Sequence, residues 1–304
     1  MDIEFGSAFR QIIGDSEESF FQTYWRQRPK LSKAVVPELK NFYSYKRFLQ
    51  DYTTLASHRG PLTLGATLIL DITDNGLRNM TRPLNIEEVN SALTQQKSIV
   101  LQALLLPKSR IVPKEWLRFR DLYDNLSRYL LPAFPRPISA NIPISAVDFF
   151  CSPSSHSTGG HYDTGDVFYF VLEGQKRWAV EIAADIDVGA RLAAEESNSS
   201  IDRNPLKQYI EIIVEPGDCL YVPAYTYHKV SSETVSLAVS IGIPTYCEAT
   251  YFLATAHSML HQSRLRRPLP TFPAHLTELT QAARAEVERR VNAALHDLFP
   301  LSGA

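Results

Sequence analysis

Between Pro113 and Leu131 apolar residues recur at three- and four-residue steps, with Trp116, Phe119, Leu122, Tyr123, Leu126 and Leu130 on one side. That period predicts an amphipathic helix with proline in its first turn. Earlier in the chain, Asp15-Ser16-Glu17-Glu18 reads as a capping box, with Asp15 accepting from the first free N–H groups and Glu18 reaching back. A helix carrying Phe20, Phe21, Tyr24 and Trp25 should follow and stop before Pro29. Asn85-Ile86-Glu87-Glu88 is a second capping box, opening a short helix to about Gln96. The apolar runs 62–72 and 98–106 predict two strands.

Pro132, Pro135 and Pro137 end the helical pattern, and the texture changes to short strands separated by turns. The predicted strands are 146–151, 167–172, 177–182, 209–214, 219–222 and 235–243. Strands of this length and spacing argue for an antiparallel sandwich or small barrel. A polar connection, 184–207, interrupts them and has the length of a lid or a surface loop that sets specificity. Helical texture returns over 246–264 and 276–298, on either side of a Pro268–Pro273 linker. Three parts follow: an N-terminal α/β region over 1–137, a β core over 138–244 and a C-terminal helical element over 245–304.

Of 304 residues, 44 % are apolar, ample for a sizeable core. The 31 basic and 33 acidic side chains nearly cancel, leaving −2, so there is no electrostatic footprint for gripping nucleic acid. Cys151, Cys219 and Cys247 are an odd number without close pairing, which argues against a disulfide framework and for a reducing compartment. The acidic start, Met1-Asp2-Ile3-Glu4, does not read as a secretory signal, and the richest apolar runs are too short to span a bilayer. The expectation is a soluble, cytoplasmic, globular protein with no membrane partner.

The sharpest chemical feature is Gly159-Gly160-His161-Tyr162-Asp163, with Tyr227-His228 later in the chain. On an extended strand, side chains at i and i+2 share a face, so His161 and Asp163 can converge on one metal ion. His228 on a neighbouring strand completes two imidazoles and a carboxylate on one side of the ion. Open positions on the other side suit Fe(II) that must hold a co-substrate and dioxygen together. Alone, H-x-D is a weak signal. Its context adds to it: Pro216-Gly217 forms a tight turn and launches a strand that delivers His228 near its end. Lys176 and Arg177 follow Gly174-Gln175, and alternation sends one of them inward. A lysine buried in an apolar hairpin is costly unless it meets an anion, such as the far end of a dicarboxylate.

Taken together, Phe149 to Trp178 and Glu215 to His228 resemble the JmjC-type Fe(II)/2-oxoglutarate oxygenases, nearest to their ribosomal-oxygenase, cupin-like branch. Phe21, Tyr24-Trp25 and Pro29 are similar to that group's opening helix. The resemblance implies a double-stranded β-helix (jelly-roll) core with flanking helices. It also implies iron ligation by His161, Asp163 and His228, and 2-oxoglutarate bound through Lys176. Thr158 is implied as a hydroxyl donor to the same carboxylate, and Ser240 is a further polar candidate. Asp148 stands where the group has asparagine and is left out of the site. The group's C-terminal winged-helix domain is not expected in the residues after Pro244.

The activity so implied is hydroxylation of a C–H bond on an amino-acid side chain in a protein or peptide, using Fe(II), 2-oxoglutarate and dioxygen. Three other readings compete. One is the same chemistry on a free amino acid or peptide-like metabolite. The others are a zinc or manganese enzyme activating water on the same triad, and a catalytically silent cupin that binds a ligand. His257 and His261 have the four-residue spacing of a zinc face but no acid between them, so a surface role is expected. His156 is expected in a loop, out of phase with His161. The stripe Leu276, Leu279, Ala283, Val287, Val291, Leu295 and Leu298 docks on the protein itself or on a second copy, as a homodimer.

Overall fold

The computed structural model describes residues 5–58, 66–68, 98–102, 112–130, 147–152, 156–163, 165–182 and 208–244, with Glu87, Glu88, Ser91, Thr94, Gln95, Gln281, Ala285 and Arg289. The first elements are α1 (Phe5–Ile13), α2 (Glu17–Thr23), β1 (Lys30–Ser32), α3 (Tyr45–His58), β2 (Ala66–Leu68), β3 (Ile99–Gln102) and α4 (Lys114–Leu130). Eight strands follow: β4 (Val147–Ser152), β5 (His156–His161), β6 (Gly165–Glu173), β7 (Lys176–Glu181), β8 (Tyr209–Val214), β9 (Cys219–Val222), β10 (His228–Ser232) and β11 (Ser236–Pro244). Residues 1–133 with 143–245 form one compact unit, and 134–142 with 246–304 a second. Among the described residues of the second unit, Gln281, Ala285 and Arg289 are helical. The 184–207 connection, His257, His261 and the C-terminal apolar stripe lie outside the described residues.

The strands form two antiparallel sheets. One has the order β1-β9-β6-β11-β4-β3-β2 and the other β5-β10-β7-β8. Strands β4 to β11 are shared between the two, with β4, β6, β9 and β11 in the large sheet and the other four in the small one. That is the double-stranded β-helix, and its inward faces meet in one apolar cluster.

Alternation shows which residues look inward. On β6, Val167, Tyr169 and Val171 join the cluster between the sheets, whereas Phe168, Phe170 and Leu172 join a second core on the outer face. Both faces of β6 are therefore covered, which is why Val167–Leu172 reads as a continuous apolar run rather than an alternating one. The outer core is built by the N-terminal helices: Phe9, Phe20, Phe48, Trp116 and Phe119 pack against Phe149, Phe168 and Phe170. Trp116 also donates from Nε1 to the Tyr43 hydroxyl at 2.8 Å.

Several boundaries differ from the sequence reading. Ser16, not Asp15, caps α2: its backbone is extended and its Oγ accepts from Ser19 N at 3.1 Å. Asp15 accepts from Ser16 N at 2.8 Å, and Glu18 points forward to Gln22 instead of reaching back. Tyr24 and Trp25 fall just past the helix, where Trp25 stacks on Tyr221 at 5.6 Å between ring centroids. Ser16→Ala should lower the unfolding free energy by about 1 kcal/mol in urea denaturation.

Candidate active site

The site sits where the small sheet ends. His161 is the last residue of β5 and His228 the first of β10, and the two are direct cross-strand partners. Their rings lie 4.4 Å apart. Asp163 does not continue the strand as the i, i+2 argument required, because β5 stops at His161. A turn brings it round instead: the Asp163 carbonyl accepts from Tyr225 N at 2.7 Å. Nor does the Pro216-Gly217 turn lead directly to His228. It launches β9, which ends at Val222, and residues 223–227 then redirect the chain.

That redirecting turn is pinned on both sides. Tyr227 O accepts from Glu181 N at 2.9 Å, and Thr226 N donates back to Pro223 O at 3.3 Å. Tyr225 adopts a left-handed backbone (φ 61°), an unusual and costly conformation for an aromatic residue that the surrounding bonds hold in place. Opposite the turn, a Cβ on Gly160 would lie 2.6 Å from the Tyr227 hydroxyl and 2.7 Å from the ring. Glycine is therefore required next to His161 by close approach. Gly160→Ala should cost about 1–3 kcal/mol of stability through overpacking, and Tyr227→Ala in the same chain should recover part of it.

One ligand atom from each of His161, Asp163 and His228 lies within 4.8 Å of the other two. His228 Nε2 is 3.6 Å from Asp163 Oδ2, and its Nδ1 pairs with the Thr226 carbonyl at 2.9 Å. With Nδ1–H donating to that carbonyl, Nε2 keeps its lone pair for a cation. Burial, with the neighbouring His161 as a second cause, holds the His228 pKa below the usual imidazole range, so the ring is neutral as ligation demands. Two imidazoles and a carboxylate on one side fit a divalent iron. Among the described residues this is the one cluster of three such groups with metal-holding geometry.

Lys176 begins β7 and is buried, while Arg177 faces outward to Glu211 and Glu233. Lys176 Nζ donates to Ser152 Oγ at 3.0 Å, and burial pulls its pKa down to about 8. The turn feeding β7 needs glycine: Gly174 has φ 76°, and a Cβ there would sit 2.2 Å from the Val235 carbonyl oxygen. Ser240 lies on β11 in register with Asp148 and Tyr169, on the inward face, half-buried. Asp148 thus lies on the same inward face. Thr158 is on β5, and its side chain lies outside the described residues. His156 opens β5 opposite Ser232, rather than sitting in a loop. Cys151 and Cys219 are free and buried; Cys247 lies outside the described residues.

Comparison with known proteins adds to this geometry. Residues 138–251 match the JmjC domain family. A relative named ribosomal oxygenase 2, from Rattus norvegicus, is 25 % identical over 242 residues, covering 79 % of this chain and 47 % of that protein. A bifunctional lysine-specific demethylase and histidyl-hydroxylase from Drosophila persimilis is 22 % identical over 264 residues, 83 % of this chain and 34 % of its own. The chain spans about half the length of these curated relatives, or less. The structure of YcfD, a ribosomal oxygenase from Escherichia coli in complex with cobalt and 2-oxoglutarate, superposes with a TM-score of 0.54 at 17 % identity, covering 95 % of this chain and 68 % of that one. At that identity the likeness shows a shared fold.

Two neighbours of the site escaped the sequence reading. Ser152 is the hydrogen-bond partner of Lys176, and the Trp178 ring lies 4.9 Å from that of His228. Both follow from strand parity once the register is known: Ser152 shares a face with Phe150, and Trp178 is two residues from Lys176. Neither carries a motif of its own.

Proposed function

We propose that the chain is an Fe(II)- and 2-oxoglutarate-dependent oxygenase that hydroxylates a C–H bond of an amino-acid side chain in a protein or peptide. The observation that carries this reading is the buried Lys176 in the same β-helix as the His161, Asp163 and His228 cluster. A water-activating metal enzyme has no use for an inward lysine there, whereas a dicarboxylate co-substrate needs a cation at its far end. The relative named a lysine-specific demethylase and histidyl-hydroxylase supports an amino-acid side chain as the target.

In this reading His161, Asp163 and His228 hold the metal, and Thr226 fixes the His228 tautomer through its carbonyl. Lys176, held by Ser152, pairs its ammonium with the distal carboxylate of 2-oxoglutarate. Thr158 and Ser240 are proposed as further polar contacts. When bound, Fe(II) with 2-oxoglutarate and dioxygen supplies the oxidising power for inserting an oxygen atom into a C–H bond, with succinate and CO2 as co-products. The apolar cluster between the sheets excludes water from the co-substrate and strengthens the Lys176 ion pair.

The test is anaerobic titration with Fe(II) and then 2-oxoglutarate. A visible charge-transfer band supports the reading, and its absence from folded protein overturns it. We also propose 1–137, 138–244 and 245–304 as the functional parts, with the last pairing two copies, and a cytoplasmic location to which the unpaired cysteines are suited. A monomer in light scattering would rule out the pairing. Among the described residues, no helix is long and apolar enough to cross a membrane.

A further inference from the structure

Trp178 is 2 % exposed, and among the described residues its indole Nε1 has no hydrogen-bond partner. A buried N–H without an acceptor is uncommon and is a cost the fold carries unless something else supplies the acceptor. The surroundings are those of the lumen. The ring lies 4.9 Å from His228 and 4.7 Å, edge to face, from Tyr169, and it packs in the cluster between the two sheets. On β7 the burial pattern alternates, so Lys176, Trp178 and Val180 share the inward face. Val180 is the cross-strand partner of His228. Trp178 therefore stands between the metal-site rung and the cation that receives the co-substrate.

We propose that the Trp178 indole N–H is a binding donor for the 2-oxo dicarboxylate, satisfied by one of its oxygens when the co-substrate is in place. This rests on the oxygenase reading above and adds to it a point of attachment besides the metal, Lys176, Thr158 and Ser240. A dicarboxylate brings an abundance of acceptors to a wall where Val171, Val180, Val230 and Ala238 offer none from their side chains, while Asp148, Ser240 and Tyr169 lie on the large-sheet side of the same lumen. The donor is rigid because His228 and Tyr169 pack against the ring, so it is already in place before binding and loses little freedom on pairing.

The experiment uses the full chain in two arms. In the first, anaerobic titration of the Fe(II)-loaded protein yields the 2-oxoglutarate Kd from the charge-transfer band, in wild type and in Trp178→Phe. The variant keeps an aromatic ring beside His228 and removes the donor together with part of the indole's bulk, so the second arm reads the donor with the side chain intact. Its Kd should rise about tenfold, the loss expected for a hydrogen bond to a charged acceptor, with Fe(II) affinity unchanged. In the second, wild-type protein labelled with 15N-tryptophan and loaded with Zn(II) is titrated with 2-oxoglutarate. The chain has three tryptophans, and the Trp178 indole resonance is the one broadened most when Mn(II) replaces Zn(II). It should move downfield on binding. A wild-type Kd in Trp178→Phe, or an indole proton that stays in place or moves upfield, overturns the proposal while leaving the oxygenase reading intact. Absence of the band in wild type would instead remove both.

Discussion

His228→Ala will bind Fe(II) more weakly by at least about a hundredfold, because loss of a direct ligand exceeds the 10- to 100-fold cost of losing an outer partner. The charge-transfer band should vanish with it. The fold should survive: His228 is a neutral ring whose Nδ1 is bonded to a turn carbonyl and whose removal strands no buried charge. Isothermal titration with Fe(II) under anaerobic conditions reads the affinity, and circular dichroism checks the fold. A variant that keeps wild-type iron affinity would mean that this cluster is not the metal site.

Lys176→Met should do two opposite things. It should weaken 2-oxoglutarate binding by about a hundredfold, the scale of truncating one member of a buried charge pair. It should also stabilise the ligand-free protein, by about 1–3 kcal/mol near pH 7. The sign follows from the lysine's pKa of about 8, below its ordinary value. Between about pH 8 and the usual lysine range, the unfolded chain binds a proton that the folded chain has shed, so stability of the ligand-free protein rises with pH across that window. Below about pH 8 the folded protein carries the full cost of a buried ammonium, which Ser152 offsets only in part. The wild-type co-substrate affinity should accordingly be level up to about pH 8 and then fall, approaching tenfold per pH unit, as the ammonium is lost. In Lys176→Met that decline should disappear. Chemical denaturation without ligand and co-substrate titration across pH 6.5–9.5 measure the two halves separately. An affinity that stays level through pH 9.5 in wild type would show that Lys176 is not the anchor.

Both predictions concern residues that the sequence singled out, for reasons of different range. Lys176 is recognisable because it follows a Gly-Gln turn in adjacent positions, whereas His228 stands out only as the distant partner of the local Gly159-Gly160-His161-Tyr162-Asp163 motif. Alternation along β7 sends one of Lys176 and Arg177 inward without any knowledge of the fold, and the structure shows that it is Lys176. The strands Tyr209–Val214 and Cys219–Val222 and the helix Lys114–Leu130 were equally legible, since period and punctuation are properties of contiguous residues.

Other features were misread for want of non-local information. Asp15 and Ser16 are both good caps, and which one serves depended on the backbone angle at Ser16. Asp163 was placed on a strand that stops two residues short of it. The bond that brings its carbonyl to Tyr225 joins positions far apart in sequence, and no periodicity encodes it. The place of Asp148 is of a different kind: it is left out of the site because an acid beside a dicarboxylate is unfavourable, and only the β4–β11 register shows that it lies on the inward face with Ser240.

By itself, then, the sequence determined which residue types are available for chemistry, which strands exist and which side of each strand is apolar, because these depend on neighbours one to four positions apart. Only the tertiary structure decided that β5 and β10 are paired with His161 opposite His228, that the 223–227 turn holds Asp163 beside them, and that Trp178 is enclosed between metal site and lysine. Strand pairing is settled by burying both sheets' inward faces at once, a condition on the whole β-helix that no short segment can express.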